Sequence, residues 1–438
     1  MNHTFYEKGR NLPILDKVDV VVVGGGPAGL IAAIASARNK ASTLLIERFG
    51  FLGGMAATGL PLHAFIAADG TRVIKGIPQE VVDRLIRNKG SPGHMPGKIV
   101  SKTMRGSTAP IDPEVFKQVA LEMLEEANSK ILLYTLAVDG IVQRNIVKGV
   151  ILENKSGRQA VLAKVVIDAS GDGDIAARCG ASFEKGRKED GLMQPPSLMF
   201  TLANVDTEKS DSFPKDKLFQ LTKEANQKGE LPAPVNQLWY FTIQKGVVAV
   251  NGTRVNRIDG TQALDLTQAE IELRKQIPKV VSFLKRYVSG FESSVLVGTG
   301  PIIGVRETRR IIGEYVLTGE DVLQARQFED QIAKSGYFLD IHNPNGAGVQ
   351  RAYIKGGASY GIPYRCLIPK KIDNLVVAGR CISTTFEAHA STRVMGPCMA
   401  IGQAAGTAAA LAVREGVPPR KLEAEKLRQT LLEQGAIV

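Results

Sequence analysis

The chain has 438 residues, 44% of them hydrophobic and 23% charged, with 45 glycines, 21 prolines, four cysteines and a formal net charge of +11. At about 100 to 200 residues per domain this is two or three domains with ample core, which excludes a disulfide mini-protein and a disordered or collagenous chain. The positive charge is scattered, with no run of five basic residues, so attraction of a small anion accounts for it as well as a nucleic-acid partner does.

The N-terminal stretch MNHTFYEKGRNLPILDK has no apolar export segment, and a cytoplasmic protein is expected. Asp19 to Val23 is an apolar, β-branched run followed at once by GGGPAG and LIAAIASAR, which reads strand, turn, helix. Gly24, Gly26 and Gly29 satisfy GxGxxG. Gly24 permits the turn, Gly26 lets the backbone approach a pyrophosphate, and Gly29 lets helix and strand pack closely. Pro27 and Ala28 open the helix, whose N-terminus favours negative charge. A second strand, Thr43 to Ile46, ends in Glu47, 23 residues after Gly24, where a carboxylate accepts hydrogen bonds from ribose hydroxyls and repels a 2′-phosphate. An adenine dinucleotide is therefore expected. Arg48 and the loop containing Gly53, Gly54 and Met55 follow, where an NAD-only domain would continue as ordinary helix.

Further on, Asp112, Pro113 and Glu114 start a helix with Phe116, Ala120, Met123 and Ala127 on one face. A strand at 131–138 leads into a three-stranded meander ending in VVIDA, and Gly171 and Asp172 form a turn at that strand's end. Residues 191–364 hold strands such as SLMFTLANV and GVVAVNG and a helix at 267–288, read as a mixed sheet. NLVVA at 374–378 is another buried strand, leading through Gly379 and Arg380 to a helix with Pro397 at its first position and Gly416 at its end. Gly396, Cys398 and Met399 lie at its N-terminus, which suits negative charge developing on an isoalloxazine ring. Residues 394–413 carry no charge and place Gly402 and Gly406 at GxxxG spacing; with their small residues and proline they read as buried core rather than a membrane span. Cys179, Cys366, Cys381 and Cys398 include no CxxC pair, so reduced thiols and no metal are expected.

VVVVGGGPAGLIAA with Glu47, VVIDASGDGDIAARCGA at 165–181, GVRETRRIIGEYVLT at 304–318, and IPYRCLIPKKIDNLVVAGRCIS with ASTRVMGPCMAIGQAAGTAAA together resemble the bacterial FAD-dependent oxidoreductases with a glutathione reductase type of FAD domain, distantly similar to fumarate reductase flavoproteins. The resemblance implies FAD as cofactor and an α/β fold: a Rossmann-like FAD-binding domain, a ββα sandwich with a β-meander, and an inserted mixed α+β substrate domain. It implies that Val138 offers backbone to the adenine, and a discontinuous FAD domain at 1–55, 105–190 and 365–438 under a cap of 56–104 and 191–364. Residues Gly298, Gly300 and Gly304 have the wrong spacing for a second dinucleotide site.

Four residues are candidates for the chemistry. His389, just before the helix aimed at the flavin, is a proton donor or acceptor or else a loop histidine bonding backbone. Arg393 resembles in position the arginine holding a substrate carboxylate in the fumarate reductase relatives; a salt bridge with Glu387 or a cofactor contact is the alternative. His63 follows the glycine loop, and Arg306 sits where an anion would meet both domains, with Glu307 and Glu314 as ordinary partners. His94 and His342 read as turn formers, His3 is set aside, and the helix dipole would lower the Cys398 thiol pKa. The expected function is hydride transfer between flavin N5 and a small organic substrate, with an anion among the candidates. A monooxygenase using NAD(P)H and oxygen, and a flavin-dependent RNA-modifying protein, are the alternatives. The electron partner and any homo-oligomeric state stay open.

Overall fold

The computed structural model describes residues 5–96 and 107–438; His3 and the expected domain boundary at 104/105 lie outside them. The valine run Val20–Val23 is wholly buried because it forms the centre of a parallel sheet, inside the strand Ile14–Val23. On one side it pairs in parallel with Thr43–Ile46, which pairs with Lys130–Leu132. On the other side lies Gly157–Asp168, also parallel. That strand is shared: its first half pairs antiparallel with Ile146–Asn154 of the meander, and its end, Val166 to Asp168, pairs in parallel with Leu375–Val377. The meander is completed by Leu136–Gln143. The expected continuous strand at 131–138 is broken at Tyr134, whose φ of 52° turns the chain between Lys130–Leu132 and Leu136–Gln143. The carboxyl ends of the parallel strands, Val23, Ile46 and the residues after Asp168 and Val377, all reach one edge of the sheet, and a cavity opens there, as expected for open α/β sheets.

Helices Pro27–Arg38 and Met395–Glu415 cross at backbone contact. A Cβ added to Gly402 would lie 2.2 Å from the Ala28 carbonyl oxygen, and one added to Gly406 would lie 2.1 Å from that of Ala32. This close approach explains the small-residue composition of 394–413, and 89% of the apolar stretch of that helix is buried inside the protein. The helix begins at Met395, two residues before Pro397, and ends at Gly416 with φ 67°.

A second core contains Leu198, Phe200, Val248, Val250, Leu273, Phe283 and Phe291. It lies between the helix Ala263–Tyr287 and a four-stranded sheet in the order Trp239–Gln244, Val247–Asn251, Phe200–Ala203, Val295–Thr299. The sheet is antiparallel throughout, not mixed: only Trp239–Gln244 and Val247–Asn251 follow one another directly in the chain, and the other two connections each pass over one strand to reach an antiparallel place. Leu62, Phe65, Val81 and Leu85, and likewise Ile332, Leu339, Tyr360 and Ile362, sit in segments expected to belong to the cap; their side chains pack into the first core instead.

Candidate functional site

A cavity of ≈ 350 Å³ runs from the glycine turn to the second core, within the range of small-molecule sites. At its first end Gly24 has φ +99°, and a Cβ there would strike the Ala169 carbonyl oxygen at 2.5 Å. A Cβ on Gly26 would meet nothing and would project into open space, whereas one on Gly29 would lie 1.8 Å from the Gly24 oxygen. No side chain caps the helix that starts at Pro27, so its first-turn N–H groups are left for a ligand. Glu47 is 7% exposed; its Oε2 accepts from the Gly25 N–H at 2.6 Å and its Oε1 from that of Phe49 at 2.9 Å. These bonds fix the carboxylate on the cavity wall. Arg48, stacked 4.7 Å from the Phe49 ring, stands beside it. A glycine cradle, free helix N–H groups and a fixed carboxylate fit the diphosphate and ribose of a dinucleotide.

Midway, the Asp172 carboxylate accepts from the Arg380 Nη2 at 2.6 Å and the Thr308 hydroxyl at 2.7 Å, and Arg309 bridges to Asp174 at 2.8 Å. Gly171, at φ +84°, brings the backbone against Arg380, where a Cβ would lie 3.0 Å from Nη2. The helix beginning at Met395 has no side-chain cap either, and Val394, Met395 and Cys398 line the cavity where it starts.

The far end is cationic and aromatic. Arg306 donates from Nη1 to the Pro195 carbonyl at 2.5 Å and to Ser197 Oγ at 2.8 Å. Burial and the charges of Arg393 and Arg254 push its pKa well below the ordinary value. Arg393 donates from Nη2 to the Asp340 carbonyl at 3.0 Å, and Arg351 from Nε to the Asp340 carboxylate at 3.2 Å. Asp340, despite burial, is held below the usual carboxylate range by His342, Arg393 and Arg351. His342 lies between two single-purpose partners: its Nδ1 is 2.5 Å from Arg254 Nη2 and its Nε2 3.1 Å from Asp340 Oδ2. Since a guanidinium only donates and a carboxylate only accepts, Nδ1 is bare and Nε2 carries the proton. His63 Nδ1 is 3.0 Å from Thr108 Oγ1, its Nε2 has no partner among the described residues, and burial lowers its pKa to about 4. Its ring centroid is 6.3 Å from those of Phe241 and of Tyr337, which wall the same space.

Of the residues picked from sequence, Gly24, Gly26, Pro27, Ala28, Glu47, Arg48, Gly54, Met55, Gly171, Asp172, Gly379, Arg380 and Cys398 line the cavity, as do His63, Arg306 and Arg393. Six do not. Gly29 and Gly396 are packing glycines, the latter with a Cβ position 2.1 Å from the His63 carbonyl oxygen. Gly53 donates its N–H to the Gly25 carbonyl at 2.8 Å. Met399 is wholly buried, and Thr135, Leu136 and Ala137 take the place expected for Val138. His389 is also wholly buried behind the wall, its Nε2 3.0 Å from the Arg306 carbonyl oxygen, so it touches the chain that carries Arg306 and not the cavity. Cys398 departs from the helix-dipole expectation, because burial pushes its thiol up to about 12. Asp340, His342, Arg351 and Tyr337 were not picked. The alternation of LDIH, a turn-rich NPNGAG and VQRA is a hairpin signal that puts Asp340 and His342 on one face.

The profile of the FAD-dependent oxidoreductase family matches residues 19–431. The chain is 24% identical over 408 residues to digeranylgeranylglycerophospholipid reductase 2 of Methanococcoides burtonii, covering 85% of this chain and 86% of that protein. It is 30% identical over 177 residues to thiamine thiazole synthase of Methanococcus vannielii, a match that spans 57% of that protein's length. A geranylgeranyl bacteriochlorophyll reductase-like protein of Thermoplasma acidophilum shares the fold, with a TM-score of 0.52 over 96% of this chain and 84% of that one at 16% identity. The chain belongs to the FAD-dependent oxidoreductase family and is an FAD-dependent oxidoreductase.

Proposed function

We propose that the enzyme is a dehydrogenase or reductase that exchanges hydride between flavin N5 and a small organic anion seated at the arginine-lined end of the cavity. The observation that carries this reading is the convergence of Arg306, Arg351 and Arg393 with His63 on one aromatic-walled space continuous with the glycine cradle. Bound FAD supplies the hydride-exchanging atom. The turn Gly24 to Gly29 would take the diphosphate and Glu47 the ribose, with Arg48, Gly54, Met55 and the Asp172–Arg380 pair along the rest of the cofactor. Arg306 and Arg393 anchor the substrate. His63 Nε2 moves the proton that accompanies hydride, because it is the open ring nitrogen facing this space while both nitrogens of His342 are engaged. A neutral imidazole is the form a base needs at neutral pH, and burial of His63 keeps it so. The parallel sheet with its meander supports a glutathione reductase type of FAD domain, and the two cores support a substrate domain confined to about residues 192–304.

The relatives named as lipid reductases act on a large, mostly apolar molecule; the guanidinium groups at the far end here suit a smaller, charged one. The test is anaerobic: the yellow holoenzyme is mixed with small organic acids, alcohols, NADH and NADPH, and bleaching of the flavin absorbance is followed. Bleaching by an acid that Arg393→Met slows by about a hundredfold or more is the expected result. Bleaching by neutral compounds alone, indifferent to Arg306→Met and Arg393→Met, would sink the proposal. Product that appears only with oxygen and carries a new hydroxyl would make the enzyme a monooxygenase.

A further inference from the structure

Four guanidinium groups, those of Arg254, Arg306, Arg351 and Arg393, surround the single carboxylate of Asp340. The next acid, Glu307, is already paired with Arg310. One carboxylate cancels one charge, so the cluster retains a formal excess of three positive charges, with Arg254 buried and Arg306, Arg351 and Arg393 half-buried along the cavity wall. Uncompensated charge drawn out of water is costly, and a ligand of opposite charge in the cavity would relieve that cost.

Donor bookkeeping points the same way. Arg306 uses only Nη1, leaving Nε and Nη2; Arg351 uses Nε and Nη2, leaving Nη1; Arg393 uses Nη2, leaving Nη1 and a buried Nε. None of these atoms has a partner among the described residues. The three side chains come from separate elements: the loop before Thr308, the strand Val349–Ala352 and the end of the helix Phe386–Thr392. A guanidinium presents its donors in a fixed plane, so a single carboxylate fits one or two such forks and leaves the third unmet. Arg254, outside the cavity lining, acts through His342: its Nη2 holds Nδ1 bare, which keeps the Nε2 proton on Asp340 and stops that carboxylate from swinging toward the ligand.

Resting on the anion reading above, we infer that the ligand taken at this end is a dianion, either two carboxylates on a short carbon skeleton or a phosphate monoester, and not a monoanion. A dianion offsets two of the three excess charges and has acceptors enough for all three forks. Asp340, Arg254 and His342 are positioning residues in this arrangement.

The experiment titrates the FAD-loaded enzyme with acetate, succinate and inorganic phosphate at constant ionic strength and about pH 8, where the last two are dianions. The flavin difference spectrum and the thermal midpoint are both read. Succinate or phosphate should bind about tenfold or more tighter than acetate, and Arg351→Gln should reduce that advantage to about threefold or less while Arg351→Lys keeps part of it. Preference for succinate assigns a dicarboxylate, and preference for phosphate a phosphoryl group. Acetate binding as tightly as both dianions would overturn this inference and leave the anion reading standing. No response to any anion, with FAD still bound, would overturn the anion reading and this inference together.

Discussion

Gly26 and Gly29 are three residues apart and serve different ends. Gly26 has ordinary backbone angles, φ −70° and ψ −175°, and faces open space, so Gly26→Ala should fold normally and lose FAD affinity by about tenfold or more, because the methyl fills the diphosphate cradle. Gly29→Ala drives a methyl into the Gly24 carbonyl and should lower stability by about 1–3 kcal/mol whether or not FAD is present. Urea midpoints of apo and holo forms, with fluorescence titration of FAD, separate the two; equal stability losses would refute the distinction. Cys398 makes the same point about surroundings. Its place at a helix start suggests a reactive thiol, yet burial raises it to about 12, and Cys179, Cys366 and Cys381 are buried and raised too. The native protein should not react with a thiol-disulfide reagent within minutes, and all four thiols should react after denaturation. One fast native thiol would contradict this.

The helices Pro27–Arg38 and Met395–Glu415 both start at the cavity, and their contact at Gly402 and Gly406 sets how those two starts face each other. Gly402→Ala or Gly406→Ala should therefore cost about 1–3 kcal/mol by urea unfolding and also weaken FAD binding, although neither glycine lines the cavity. A variant with unchanged FAD affinity and lowered stability would show that the crossing does not set the cofactor site. Both helices were legible in sequence, as were the meander and the Asp112 cap, whose side chain accepts from Glu114 and Val115. Such features depend on periods and end signals within one stretch of chain. The far end of the cavity was legible only in part. Arg306 and Arg393 were found from their neighbourhood in sequence, but their partner Asp340 is 34 residues from one and 53 from the other, and no local pattern joins them. His389 was misplaced for a related reason: its chain position is close to the cavity, and its side-chain direction is set by tertiary packing.

Across the whole molecule, the buried histidines dictate the response to acid. Burial holds His63 and His94 at about 4 and His342 and His389 well below the ordinary 6.5. The unfolded chain therefore binds protons that the native protein refuses, so stability is full above about pH 6.5 and is lost as pH falls toward 4, by up to about 1.4 kcal/mol per unit for each histidine. Glu307, pushed up to about 7 by burial, acts in the opposite direction over the same window, but four histidines outweigh it. Urea midpoints should fall steadily from pH 7 to pH 5, and His94→Gln, outside the cavity, should flatten the decline. A level profile would refute the assignment. One feature of the far end reaches beyond stability. Asp340, His342 and Arg351 are carried by a single hairpin, Leu339–His342 with Val349–Ala352, whose strands pair, among the described residues, only with each other. The glycine cradle proposed for FAD belongs to other segments. Descendants of this chain could trade one substrate for another by exchanging that short ribbon, inheriting the redox half of the enzyme unaltered.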